Sequence, residues 1–202
     1  HSFPTRRSSD LIEGFLSDNY DFESRKKYAA QPGGYSAEIW GKLAELGLLG
    51  LPFSEEDGGF GGGAVETMLV AESLGKYLVL EPYLATVVLG GGVLKRAGSA
   101  AQKAEHIPAI AGGERTFALA VTERHSRYDL HDVTTTAKKD GDGYVLDGEK
   151  YVVVHGGTAD YLIVSARTSG ERRDRDGIGL FIVAGNAPGV TRRDAPGQDA
   201  IH

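Results

Sequence analysis

Most of the side chains that could do chemistry lie between Thr122 and Lys150. Thr122-Glu123 closes an apolar run, and Arg124, His125, Ser126, Arg127, Tyr128 and Asp129 follow without a break. Arg124 and Arg127 could meet phosphate, because a guanidinium offers two parallel donors to one oxyanion. His125, Ser126 and Asp129 have the residue types of a hydrolytic triad. Adjacent side chains on an extended segment point apart, however, and no nucleophile elbow surrounds these three. His125, His131 and His155 fit no helix pair and no compact ligand set, so no metal is expected. The glycines at 58–63 follow no strand and lead into no Lys-Ser/Thr or Gly-x-Gly-x-x-Gly pattern, so they read as a loop and not a phosphate cradle. Asp147-Gly148-Glu149-Lys150 reads first as a turn.

The elements that must position these residues change character near residue 112. Before it the spacing is helical. Ile12, Phe15, Leu16 and Tyr20 share one face, and Gln31-Pro32-Gly33-Gly34 breaks the chain. Ser36 is a candidate N-cap for a helix carrying Ile39, Trp40, Leu43 and Leu46. Further helices are expected with Val65, Met68, Leu69 and Leu74, from about Pro82 to Leu94, and from Ser99 through Ile110 with Pro108 disturbing the last turn. After Gly112-Gly113 the segments are short and β-branched. Strands are expected at 116–122, 133–138, 144–146, 151–154, 161–166, 178–183 and 189–192, with a hairpin at Asp140-Gly141-Asp142-Gly143.

The expected architecture is α+β: an α-helical N-terminal domain, 12–112, then an antiparallel β-sandwich or barrel, 113–202. Helices and strands segregated in this way argue against a doubly wound nucleotide-binding sheet. Residues 1–11, HSFPTRRSSDL, lack apolar periodicity and are set aside as a non-native or disordered leader. Asp194-Ala195-Pro196-Gly197 reads as a turn inside a β domain that continues beyond residue 202. The net charge of −6 argues against nucleic-acid binding, which needs a basic face. The absence of cysteine excludes disulfides and thiolate sites, and fits a cytoplasmic protein. No apolar run approaches the roughly 20 residues that cross a bilayer.

Three segments, in order, resemble the acyl-CoA dehydrogenase family over almost the whole chain after residue 11. They are Trp40–Pro52 with Glu55–Gly63; Ala118–Glu123 with Asp129; and Gly143–Lys150 with Gly156, Ala159-Asp160 and Leu162–Arg167. The wording of Thr122–Leu130 with Asp147–Lys150 is most similar to the small subunits of two-subunit members that oxidise pimeloyl-CoA. The resemblance implies a helical domain, a β middle domain and a C-terminal four-helix domain, with FAD held between the last two. It also implies α,β-dehydrogenation: a glutamate, usually in the C-terminal domain, takes the α-proton of an acyl-CoA thioester, and the β-hydrogen leaves as hydride to the flavin. The base is therefore expected beyond residue 202. This chain alone is expected to be inactive and to hold FAD weakly or not at all.

Carried over position by position, the resemblance puts Leu119, Ala120, Val121 and Thr122 against the isoalloxazine, through backbone groups and the Thr hydroxyl. Val152, Val153 and Val154 form the second flavin-contacting segment. Tyr128 stands where the family often has a serine that touches flavin or substrate. Val154 stands where a hydroxyl residue commonly bonds near N5, and His155 replaces the usual asparagine. The implied partners are an acyl-CoA (the two-subunit likeness adds dicarboxyl-CoA thioesters to the range), an electron-transferring flavoprotein, and further copies or a second dehydrogenase subunit. Two alternatives share the fold: a non-catalytic structural subunit of a heteromer, and a flavin monooxygenase or nitroalkane oxidase.

Overall fold

The computed structural model describes residues 5–195 and 197, with side chains from residue 10 onward. Two compact units divide the chain, a helical one up to Thr116 and a β unit spanning Phe117–Asp194. The boundary falls a few residues beyond the expected 112/113. Among the described residues no helix is long and apolar enough to cross a membrane.

The helical unit begins with α1, Thr5–Asn19. Ile12, Leu16 and Tyr20 are buried along it at i, i+4 spacing, as expected. The helix starts inside the stretch set aside as a leader, because no glycine or proline separates Thr5 from Ile12. Residues 1–4 of that stretch lie outside the described residues. A helix that the spacing did not announce, α2 (Phe22–Ala29), buries no side chain and so carries no apolar stripe to read. Asp21 caps it, accepting from the Ser24 N–H at 2.7 Å.

Helix α3, Ala37–Glu45, follows the expected pattern. Ser36 Oγ accepts from the Ile39 N–H at 3.2 Å, and Ile39, Trp40 and Leu43 are buried. In α4, Ala64–Lys76, the buried side is Val70, Ser73 and Leu74, while Val65 and Met68 are exposed, contrary to expectation. Apolar side chains surround much of this helix, so spacing alone did not choose the inward face. The expected helix from Pro82 to Leu94 is a π-helical stretch, Leu84–Gly90, running into α5, Gly91–Ala97. A Cβ on Gly91 would stand 2.5 Å from Phe53 Cζ, so this close approach requires glycine. Ser99 and Gln102 cap α6, Ala100–Ala111, reciprocally, with Pro108 inside its final turns.

One buried polar junction ties three stretches of this unit together. Tyr20 Oη donates to Glu81 Oε2 at 2.7 Å and accepts from the Leu80 N–H at 2.8 Å; Glu81 Oε1 accepts from the Ser36 N–H at 3.1 Å. Burial raises the pKa of the Glu81 carboxyl, against hydrogen bonds led by Tyr20.

The β unit contains β1 (Phe117–Ala120), β2 (Thr136–Asp140), β3 (Gly143–Asp147), β4 (Tyr161–Arg167) and β5 (Ile178–Ala184). β4 is the central strand. It pairs antiparallel with β5 over its whole length, parallel with β1, and parallel with β2 at Thr136 and Arg167. The expectation of a purely antiparallel sheet is therefore corrected to a mixed one. The connection from β1 to β4 contains the β2–β3 hairpin, which gives the long crossover that parallel neighbours need. The hairpin turns at Gly141-Asp142, with Asp140 opposite Gly143. Tyr144 and Phe181 place their rings 5.0 Å apart edge to face, so a side chain of β3 meets one of β5 although the two strands do not pair. Two expected strands are absent. Residues 151–154 form a loop in which Val152 has φ 51°, and residues 189–192 follow a turn at Gly189 with φ 87°. Their β-branched content misled, because positive φ breaks a ladder regardless of side-chain type.

Candidate functional site

The end of β1 and the loop at 151–154 meet directly. The Tyr151 N–H donates to the Thr122 carbonyl at 2.9 Å. One residue further out on each arm, Lys150 Nζ donates to Glu123 Oε1 at 2.7 Å. The same Glu123 carboxylate accepts from Thr135 N–H (3.0 Å) and Oγ1 (2.7 Å) on one oxygen, and from Thr134 N–H (2.9 Å) and Oγ1 (2.5 Å) on the other. Lys150 Nζ also donates to Ser165 Oγ on β4 at 3.0 Å. Glu123 is 2% exposed, a burial a carboxylate tolerates only when its lone pairs are met. Burial opposes its ionisation, but the hydrogen bonds from Lys150, Thr134 and Thr135 outweigh this and hold its pKa far below the usual carboxyl range.

Beyond Glu123 the chain turns. Ser126 Oγ accepts from the Glu123 N–H at 2.9 Å and donates to the Glu123 carbonyl at 3.0 Å. That commits the serine hydroxyl to backbone and removes the triad reading. The segment is a turn and not extended, with Arg127 at φ 48°. His125 Nε2 lies 3.4 Å from Glu123 Oε2 and 3.4 Å from Asp132 Oδ1. Asp132 is gripped by Arg172, through Nε to Oδ1 and Nη2 to Oδ2, and by Arg173. The Arg172 bonds, opposed by burial and aided by Arg173, lower the Asp132 pKa to about 2. His125, Arg127, Tyr128, Asp129, Asp132 and Arg173 border an open cleft of about 620 Å³. Arg124 stacks over the Tyr151 ring at 4.8 Å, so it braces the loop.

The structure brings together two of the three sets singled out in the sequence. Ala120 is buried, whereas Leu119, Val121, Thr122 and Val153 are half-buried; Val154 is 36% and Val152 84% exposed. Tyr128 stands apart, 99% exposed at the tip of its turn, with no side-chain hydrogen bond or ring contact among the described residues. His155 is buried at φ 56°, a backbone region that histidine, like asparagine, enters more readily than most residues. No group of three or more His, Asp or Glu side chains among the described residues could hold a metal ion.

The Glu123–Lys150 junction was not legible beforehand. Lys150 read as the end of a turn, and only a lone acid closing the apolar run 118–122 hinted at a buried partner. Thr122 Oγ1 has no hydrogen-bond partner among the described residues, and the loop joined to the Thr122 carbonyl through the Tyr151 N–H exposes the apolar side chains of Val152 and Val154. A hydroxyl on a segment joined to an exposed apolar loop suits a flat heterocycle.

Comparison with known proteins matches residues 9–114 to the acyl-CoA dehydrogenase N-terminal domain and residues 118–202 to the acyl-CoA dehydrogenase middle domain. The Bacillus subtilis protein named "Probable acyl-CoA dehydrogenase YngJ" is 33% identical over 194 residues, covering 94% of this chain and 51% of that protein. The chain thus spans about half the length of such curated relatives. An acyl-CoA dehydrogenase from Bacillus anthracis, solved in complex with FAD, superposes with a TM-score of 0.85 at 28% identity, covering 100% of this chain and 34% of that one. The ChsE4–ChsE5 complex from Mycobacterium tuberculosis gives a TM-score of 0.81 at 27% identity, covering 95% of this chain and 50% of that one.

Proposed function

Because this chain belongs to the acyl-CoA dehydrogenase family, we propose that it is the flavin-facing part of an FAD-dependent dehydrogenase subunit that converts an acyl-CoA thioester to the enoyl-CoA. The observation that carries this reading is the Tyr151–Thr122 hydrogen bond, which holds both ring-contacting segments side by side. FAD, when bound, supplies the two-electron acceptor for the β-hydrogen. The chain's own residues bind and orient it. Backbone groups of Leu119, Ala120 and Val121 and the Thr122 hydroxyl would hold the ring, and Val152 and Val154 would pack against it and exclude water. Tyr128, at the tip of the turn, reaches toward substrate. The base that takes the α-proton is supplied by the rest of the whole protein, and electrons pass on to an electron-transferring flavoprotein.

A second reading is favoured by Val154 and Tyr128, which replace the usual small hydroxyl residues: the subunit is a non-catalytic member of a heteromer. The likeness to the two-protein ChsE4–ChsE5 complex supports a heteromeric arrangement. The test is to express the whole protein alone and with a partner dehydrogenase subunit, then measure bound flavin and acyl-CoA-dependent dye reduction. Flavin in neither preparation removes the dehydrogenase reading. Turnover of the complex that survives loss of the base in this subunit, but not in its partner, supports the structural role.

A further inference from the structure

We propose that Glu123 and Lys150 are positioning residues that set the spacing and twist between the two flavin-facing segments, and thereby the affinity and seating of the flavin. This rests on the FAD reading above.

A single hydrogen bond, Tyr151 N–H to the Thr122 carbonyl, leaves two segments free to rotate about one axis. The Glu123–Lys150 link, one residue further along each arm, is a second tether beside the first and removes that freedom. The pair also refers both arms to the rest of the unit. Glu123 is fixed to Thr134 and Thr135, just ahead of and at the lead into β2, and Lys150 is fixed to Ser165 on the central strand β4. Four stretches of chain therefore converge on one carboxylate and one ammonium group.

Stability alone does not account for this arrangement. A buried ion pair is on average no more stabilising than well-packed apolar side chains, because two desolvation penalties offset the attraction. Its distinctive yield is geometric. Five donors aimed at one carboxylate fix it in a single orientation, whereas apolar side chains in the same space would tolerate sliding. Val152 at φ 51° and His155 at φ 56° lie just beyond Lys150, in a backbone region that non-glycine residues hold only where the surrounding structure constrains them.

The test uses the whole protein, comparing it with the Lys150→Met and Ser165→Ala variants. Three quantities are read: the FAD dissociation constant by fluorescence titration, the visible circular dichroism of the bound flavin, and the unfolding midpoint of the flavin-free protein. Lys150→Met is expected to raise the dissociation constant about tenfold and to alter the flavin dichroism, as coupled contacts of this kind do. Ser165→Ala, which removes only the second acceptor of Lys150, is expected to shift both flavin readouts less, with little change in the unfolding midpoint. An unfolding midpoint that falls in Lys150→Met while both flavin readouts stay unchanged overturns the proposal. Should Lys150→Met not fold, flavin readouts of Ser165→Ala identical to the unaltered protein overturn it equally. Absence of FAD binding in the unaltered protein refutes the underlying FAD reading instead, which keeps the two failures distinct.

Discussion

The carbonyl of Thr122 and the amide of Tyr151 lie 2.9 Å apart, joining the end of a buried strand to the root of an exposed valine loop. This contact is not part of a sheet ladder. It joins the segment carrying the half-buried Thr122 to the loop that exposes Val152 and Val154.

Restoring a hydroxyl at residue 154 tests the proposed ring contact. Val154→Thr is nearly isosteric and leaves the β-branch in place. It is expected to tighten FAD binding by about 2–10-fold, the range of one ordinary hydrogen bond. Titration of the whole protein with FAD, compared before and after the substitution, reads this directly; an unchanged or weakened affinity counts against a flavin edge at this position.

Acid should undo the β unit in a defined window. Asp132 has its pKa lowered to about 2 from 3.8, chiefly by Arg172, and Glu123 is lowered from 4.5 despite its burial. A carboxyl depressed by the fold stabilises it fully above the unfolded value, and that contribution is lost as pH falls toward the folded value. The unfolding midpoint should therefore drop as pH falls from about 4.5 toward 2. Glu123→Gln should flatten part of this slope and cost about 3 kcal/mol at neutral pH, as breaking a buried pair does. Thermal melts across pH measure both.

Two tyrosines of the helical unit should respond oppositely to loss of the hydroxyl. Tyr20→Phe leaves Glu81 without its Oη donor and the Leu80 N–H without its acceptor, at a cost of about 2 kcal/mol. The Tyr83 hydroxyl is buried with no hydrogen-bond partner among the described residues. Tyr83→Phe is therefore expected to be neutral or to stabilise by up to about 1 kcal/mol. Urea midpoints of the two variants, measured side by side, decide; equal losses would refute the contrast. Because the fold raises the Glu81 pKa, the charged form is disfavoured there, and this junction weakens as pH rises above 4.5.

Arg167 should tolerate no other cation. Arg167 is 7% exposed, and its guanidinium donates to the carbonyls of Val133, His131, Ser169, Arg172, Asp174 and Asp176. Lysine has three donors where these carbonyls present six acceptors. Arg167→Lys is expected to lose about 3 kcal/mol of stability and to loosen the turn that carries Arg172 and Arg173. Hydrogen exchange over residues 169–176 reports the loosening; unchanged protection would show that the carbonyls do not depend on the fork.

The order of helical and β units, the Ser36 cap and the Asp140–Gly143 hairpin could all be read from the chain, because each depends on neighbours a few residues away. Several features could not. Helix α2 has no buried face, and the inward side of α4 was chosen by packing and not by spacing. The valines at 152–154 looked like a strand until positive φ put them in a loop.

The sequence by itself determined the family, through an ordered set of motifs, and the resemblance nominated the residues proposed to face the flavin. Only the tertiary structure decided that Glu123, Lys150, Thr134, Thr135 and Ser165 form one junction. Local pattern cannot announce such a junction, since its members come from separate stretches of chain. What makes them partners is the desolvation of a charge, and that exists only once the chain has folded around it.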